Sequence, residues 1–202
     1  KGLIVSGPGP TKEDFIKNEY LEYRLQNNII ATIDASYSGS EGIREAFAKC
    51  SDILSNFRMV EEKKIIEKLF QEINTNSGLG SYGLKEVIEM LRNNIAAMVV
   101  ISDDINMSRI EKKCKRCSHV EEELIEQGKR IARKTEMKSQ KCSECEAMDF
   151  EMTDQDLIDF IALIASQTGT KVEVVSGKTE HGVMLGSLGN IAAILRYNPN
   201  RG

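Results

Sequence analysis

The sequence predicts an α/β fold in which a sheet lies sandwiched between helices, and three observations carry that prediction. Strand-like and helix-like patterns alternate along nearly the whole chain. The apolar run Ile95-Ala-Ala-Met-Val-Val-Ile101 has the profile of a strand covered on both faces. Ser108 to Glu151 is dense in charge and lacks a core-forming strand pattern, so it reads as a small insertion with its own means of stabilisation.

The elements follow in order. Leu3 to Ser6 reads as a strand and Thr11 to Leu21 as a helix, with Thr11 as N-cap, Asp14 as its acidic partner and Pro10 blocking backward extension. Ile29 to Ala35 is a second strand and Glu41 to Leu54 a second helix, after which the chain is divided near Asn56. From Phe57 to Ile73 the residues Met59, Ile66, Leu69, Phe70 and Ile73 recur at helical spacing, and Asn74 to Gly78 breaks that helix. Leu84, Val87, Ile88 and Leu91 form the next helical stripe. Thr153 with Asp156 predicts the cap of a helix bearing Leu157, Ile158, Ile161 and Ile164, ended by Gly169. Val172 to Val175 and Ile191 to Leu195 are further strands. Inside the insertion, three glutamates at 121–123 and the cations Arg130, Arg133 and Lys134 match a helix dipole over Val120 to Lys134.

With 41% hydrophobic and 29% charged residues, the 202-residue chain has the composition of a folded globular protein, and collagenous or disordered readings are excluded. Asp plus Glu outnumber Lys plus Arg by 31 to 27, so no global positive field draws the chain onto nucleic acid. No apolar run approaches the roughly 20 residues of a membrane helix, and no membrane partner is expected. The opening Lys1-Gly2-Leu3-Ile4-Val5 has neither Met nor a signal-peptide pattern, so a fragment of a longer cytoplasmic protein is expected.

Four of the five cysteines form two Cys-x-x-Cys pairs, Cys114 with Cys117 and Cys142 with Cys145, separated by 24 residues. Two such knuckles can present four thiolates to one ion, and a closed tetrahedral zinc site is the expected result. Such a site is structural: it holds together a segment too small for a hydrophobic core, and it implies a reducing compartment. His119 is the one plausible substitute ligand, an iron–sulfur cluster is the alternative metal, and Cys50 reads as a small packed side chain. Lys112 to Lys141 holds ten Lys or Arg against five Glu, so a phosphate backbone could dock there, although a solvated helix face reads equally well.

Catalytic constellations are scarce. Pro8 and Pro10 deprive Ser6-Gly-Pro-Gly-Pro-Thr-Lys12 of amides for a phosphate, and Ser176-Gly-Lys-Thr179 has Val172 where a P-loop needs Gly. The two histidines, His119 and His181, enter no nucleophilic arrangement, and His181 is expected in a loop. Asp34 and the pair Asp103-Asp104 could bind a cation for nuclease chemistry, but carboxylates at strand ends are more often turn residues.

Lys178 to Tyr197, ending in Ile191-Ala-Ala-Ile-Leu-Arg-Tyr197, resembles the C-terminal domain of the class I peptide chain release factors of archaea and eukaryotes and of their paralogue Pelota. Lys1 to Phe15, Ile33-Asp-Ala-Ser-Tyr-Ser-Gly39 and Glu41-Gly-Ile-Arg-Glu45 resemble the latter half of the same proteins' middle domain. Paired cysteine knuckles make the archaeal release factors the nearer likeness. The resemblance implies residues 1–55 as the end of the middle domain and 56–202 as a domain like ribosomal protein L30e, with the zinc insertion at 108–151. It implies a role in translation termination, with the ribosome, an elongation-factor-1α-like GTPase and an ABC-type recycling ATPase as partners and ribosomal RNA as a contact of the insertion. The family's Gly-Gly-Gln loop is absent, since no two glycines are adjacent, so this chain is not expected to be an enzyme. A Pelota-like rescue factor and a stand-alone L30e-like RNA-binding module are the competing expectations.

Overall fold

Two parallel strands open the chain in the computed structural model, which describes residues 2–18, 20–75 and 77–199. The chain forms two units, Lys1–Glu62 and Lys63–Gly202. In the first, β1 (Leu3–Gly7) pairs with β2 (Ile29–Asp34), aligning Ile4 with Ala31 and Gly7 with Asp34. The helix expected over Thr11 to Leu21 is cut short as α1 (Thr11–Lys17), ended by Asn18, and a separate short helix, α2 (Tyr23–Gln26), begins beyond it after Glu22, whose backbone is extended. Glu19, inside that expected helix, lies outside the described residues, as do Lys1 and Asn76. Pro10, not Thr11, occupies the cap of α1, and no side chain bonds there.

A single helix, α3 (Gly39–Asn74), replaces the two expected on either side of Asn56. Asn56 alone, with no Gly or Pro beside it, does not stop a helix of this length. The first unit ends at Glu62, six residues beyond the expected division. Ile33, Ala35, Ala46 and Cys50 form its buried apolar set, and Cys50 is packed as expected.

The second unit is a three-layer sandwich. Its sheet runs β3 (Gly80–Tyr82), β9 (Ile191–Leu195), β4 (Ala96–Ser102), β8 (Lys171–Val175), with β4 and β8 parallel and β9 antiparallel to both its neighbours. Strand alternation divides the core. Val99 and Ile101 of β4, with Ile191 and Ala193 of β9, pack with α4 (Leu84–Arg92) and α6 (Leu157–Thr168). Val100, Ala192 and Ile194 face the other way, onto Ile66 and Leu69 of α3 and Leu185 of α7 (Glu180–Gly186). The helix α7 stands where a loop is expected at His181. It is capped by the Thr179 hydroxyl, which accepts from the Gly182 N–H at 3.1 Å. A Cβ on Gly182 would lie 2.0 Å from the Ser176 carbonyl oxygen, so only glycine lets this turn close.

Between β4 and α6 the chain builds a second, wholly antiparallel sheet in the order β6 (Val120–Glu126), β5 (Met107–Cys114), β7 (Phe150–Asp156), with α5 (Arg130–Ser139) beside it. This corrects two expectations: the insertion does contain strands, and Val120 to Glu126 is one of them, not the start of a helix. Alternation explains it, because Glu121 pairs with Lys112 and Glu123 with Arg133, while Glu122 pairs with Arg109. Cross-strand and helix-to-strand charge pairing outweighs the dipole argument. Asp156, the last residue of β7, caps α6 by accepting the Ile158 N–H at 2.8 Å, whereas Thr153 lies within the strand. Gly169 closes α6 at φ 63°, as expected.

Candidate metal centre

β5 carries the first thiol to its place. Its inward positions Ser108, Ile110, Lys112 and Cys114 are all buried, so the period of two ends on the first cysteine of the first knuckle. The Cys114 N–H donates to the His119 carbonyl at 2.8 Å, and the Ser118 N–H donates back to the Cys114 carbonyl at 2.9 Å. The second knuckle, between α5 and β7, repeats this frame. There the Cys142 N–H donates to the Ala147 carbonyl and the Glu146 N–H to the Cys142 carbonyl, both at 3.0 Å. Ser118 and Glu146, four residues after the leading cysteine of each knuckle, both adopt left-handed geometry with φ 60° and 58°. Neither is glycine, so the hydrogen bonds hold a conformation the residue type does not favour.

The sulfurs of Cys114 and Cys145 lie 3.5 Å apart and those of Cys117 and Cys142 3.6 Å, and all four fall within 4.8 Å of one another. A tetrahedral ion with metal–sulfur bonds of about 2.3 Å separates its ligands by about 3.8 Å, so the four cysteines could hold one metal ion. Cys114 and Cys142 are buried and Cys117 is exposed. His119 supplies its backbone carbonyl and is not part of the thiol cluster.

The thiols differ in acidity. The backbone N–H of Cys117, with help from that of Arg116 and against burial, lowers Cys114 to about 6. The His119 N–H pulls Cys117 down, but loss of hydration at the crowded sulfur and the sulfurs of Cys145, Cys114 and Cys142 override it and push that thiol up to about 12. Four sulfurs this close cannot all ionise without a cation. Metal uptake at neutral pH is therefore expected to release protons, the Cys117 proton among them, and affinity is expected to rise with pH. Calorimetry in two buffers of different ionisation enthalpy reads the proton count directly; a count of zero would contradict this account.

Most of the expected basic surface is neutralised within the insertion. Lys112, Lys115, Lys129, Arg130, Arg133 and Lys134 each pair with a carboxylate, Lys134 and Arg130 sharing Asp154. Lys113, Arg116, Lys138 and Lys141 have no ion pair among the described residues. Two of the three carboxylates considered for cation binding, Asp34 and Asp103, are occupied otherwise, and the Asp104 carboxylate belongs to no cluster of metal-ligating side chains among the described residues. Asp34 pairs with Lys12, whose hydrogen bond holds its carboxyl below the usual range, and Asp103 accepts the Gly177 N–H at 2.8 Å as a turn residue. Sequence reasoning missed Lys112, a lysine only 1% exposed. Its signal was the alternation Ile110, Lys112, Cys114, which places all three on one buried face.

A sandwich interrupted after its central strand by a four-cysteine sheet defines an α/β module with a metal-closable insertion, and comparison with known proteins places it. Residues 59–199 match the family described as eRF1 domain 3, and residues 1–56 match eRF1 domain 2. The chain belongs to the eRF1 family. Peptide chain release factor subunit 1 of Methanobrevibacter smithii is 38% identical over 98% of this chain and 47% of its own length. The chain thus spans about half the length of the curated relatives it matches. Among solved structures, the C-terminal domain of the release factor from Methanosarcina mazei superposes with TM-score 0.67 at 24% identity, covering 81% of this chain and 99% of that one. Archaeal Pelota in a ribosome-bound model with ABCE1 shares the fold at TM-score 0.53 and 23% identity, covering 96% of this chain and 43% of that one. No helix among the described residues is long and apolar enough to cross a membrane.

Proposed function

We propose that this chain is the C-terminal portion of a factor that ends translation at stop codons, and that it works there as a docking module and not as a catalyst. Residues 1–55 are the latter half of the middle domain, and residues 56–202 are an L30e-like domain bearing the zinc insertion 108–151. The domain engages an elongation-factor-1α-like GTPase and then an ABC-type recycling ATPase on the ribosome, in the cytoplasm. The observation that carries this reading is the match to eRF1 domain 3 over residues 59–199. The ribosome-bound model of archaeal Pelota with ABCE1, whose Pelota shares this fold, lends support.

Cys114, Cys117, Cys142 and Cys145 hold zinc through four thiolates. With every position filled by sulfur the ion supplies folding energy and no open site for chemistry. The insertion also touches ribosomal RNA, a reading favoured by the unpaired Lys113, Arg116, Lys138 and Lys141. If these four meet phosphates, the logarithm of RNA affinity falls linearly with the logarithm of salt, with a slope on the order of −1 per phosphate neutralised.

The test of the docking role is calorimetric titration of this chain with an archaeal elongation-factor-1α-like GTPase in its GTP form. Saturable binding is expected. Absence of binding by the folded chain would refute the GTPase role, and salt-sensitive RNA affinity without it would favour a stand-alone RNA-binding module.

A further inference from the structure

We propose that Glu121, held in place by Lys112, is a positioning residue that fixes the separation of the two knuckles and so prepares the four thiols for metal. The proposal rests on the reading of those cysteines as a metal site.

Each knuckle needs an anchor to the rest of the insertion, and the two anchors differ. In the first, the residue after the leading cysteine is tied to Asp149, just ahead of β7: the Lys115 N–H donates to the Asp149 carbonyl at 3.0 Å, and the Lys115 ammonium pairs with the Asp149 carboxylate at 3.0 Å. In the second, the equivalent residue is Ser143. Its hydroxyl donates to Oε1 of Glu121 at 3.3 Å. Glu121 of β6 thus does for the second knuckle what Asp149 does for the first. Glu121 sits in β6, two residues beyond His119, whose carbonyl receives the Cys114 N–H. Its carboxylate therefore spans from the exit of one knuckle to the interior of the other.

Lys112 fixes the position of that carboxylate. Its ammonium donates to Oε2 of Glu121 and to the Gln140 carbonyl, each at 3.1 Å, and lies 4.1 Å from the centre of the Phe150 ring. Lys112 precedes Cys114 by two residues, Gln140 precedes Cys142 by two, and Phe150 begins β7. One buried cation thus contacts the segments leading into both knuckles and the strand leaving the second. A methionine or leucine would fill the same volume without the desolvation cost of an ammonium, so packing alone does not account for a lysine here. Hydrogen bonds from the polypeptide beyond the ligands set ligand orientation in metal sites, and losing one typically weakens metal binding 10–100-fold.

The test measures zinc and cobalt(II) dissociation constants of the full chain by competition with a chromophoric chelator, for the parent and for Glu121→Gln, Lys112→Met and Ser143→Ala. Glu121→Gln and Lys112→Met are expected to weaken both metals about 10–100-fold. Their cobalt spectra should keep the tetrathiolate charge-transfer bands, because the ligands are unchanged. Ser143→Ala removes the hydroxyl contact while leaving Lys112 and Glu121 paired, and it should weaken both metals in the same direction, by no more than Glu121→Gln does. A contact that only stiffened the insertion would lower the melting temperatures of metal-free and metal-loaded protein alike and leave the dissociation constants unmoved. Constants within twofold of the parent for both Glu121→Gln and Lys112→Met would overturn the proposal. Should Glu121→Gln leave Lys112 uncompensated and unfold the insertion, Lys112→Met, which removes the buried charge itself, still decides. A parent chain that binds neither metal would overturn the metal reading, and the positioning role with it.

Discussion

With Cys114 and Cys142 both replaced by Ser, the chain is expected to retain no tightly bound metal and to lose the outer part of its insertion while the four-stranded sheet stays folded. The substitution removes one ligand from each knuckle. The insertion has little to replace it: among its buried apolar side chains are Ile110 and Met137, far short of an independent core. A structural zinc contributes on the order of 10–16 kcal/mol of apparent binding free energy in small domains, more than such a segment can supply otherwise.

The inner end of the same sheet has separate support. Met107 and Leu124 pack against the main core, and the Arg109 guanidinium lies 4.5 Å from the centre of the Phe160 ring of α6. Glu122 accepts from both Arg109 and Arg92 at 2.7 Å, and β7 passes directly into α6 through the Asp156 cap. Hydrogen exchange should therefore show amides of residues 112–121 and 130–151 losing protection, and those of 107–109 and 155–156 keeping it. Loss of protection across β4 and β9 as well would show that the sandwich depends on the metal, contrary to the fold described.

The second large effect is expected at Ile161. This side chain is fully buried in the layer where α6 meets α4 and the sheet, among Leu91, Val99 and Leu157. Ile161→Ala removes three carbons from a close-packed site and should cost about 2–5 kcal/mol, the spread depending on how far the cavity collapses. For a chain of this size the melting temperature should fall by about 5–15 °C. Metal content should not change, because none of the knuckle residues belongs to this cluster. The two variants thus separate two sources of stability: one loses metal and keeps the sandwich, the other weakens the sandwich and keeps metal. An Ile161→Ala chain that lost its metal in proportion to its stability would show the two to be one cooperative structure.

The parts of this architecture legible in the sequence are those with a strong local signal. Ile95 to Ile101 and Ile191 to Leu195 have no polar alternation because both faces of the sheet are covered, and they appear as β4 and β9 within a residue of expectation. Leu84 to Leu91 shows its helical stripe for the opposite reason, since only one face of α4 is buried. The four cysteines were legible because Cys-x-x-Cys spacing encodes the knuckle locally, and the structure brings them together.

What was not legible depends on partners distant in sequence. Glu121 to Glu123 reads as a helix start until Lys112, Arg109 and Arg133 are seen to lie beside it, two of them on a neighbouring strand. The apparent surplus of positive charge between Lys112 and Lys141 also shrinks, because Asp149 and Asp154, which neutralise Lys115, Arg130 and Lys134, lie outside that window. The short helix α7 escaped notice because its seven residues include two glycines, and its stability comes from the Thr179 cap and burial of Leu185.

The measurement that tests the metal-locked module most directly is metal analysis of the purified chain combined with X-ray absorption at the metal edge. One zinc per chain in a shell of four sulfurs at about 2.3 Å is the result expected of Cys114, Cys117, Cys142 and Cys145 acting together. A shell containing nitrogen or oxygen, or protein that folds its insertion with no metal at all, would contradict it.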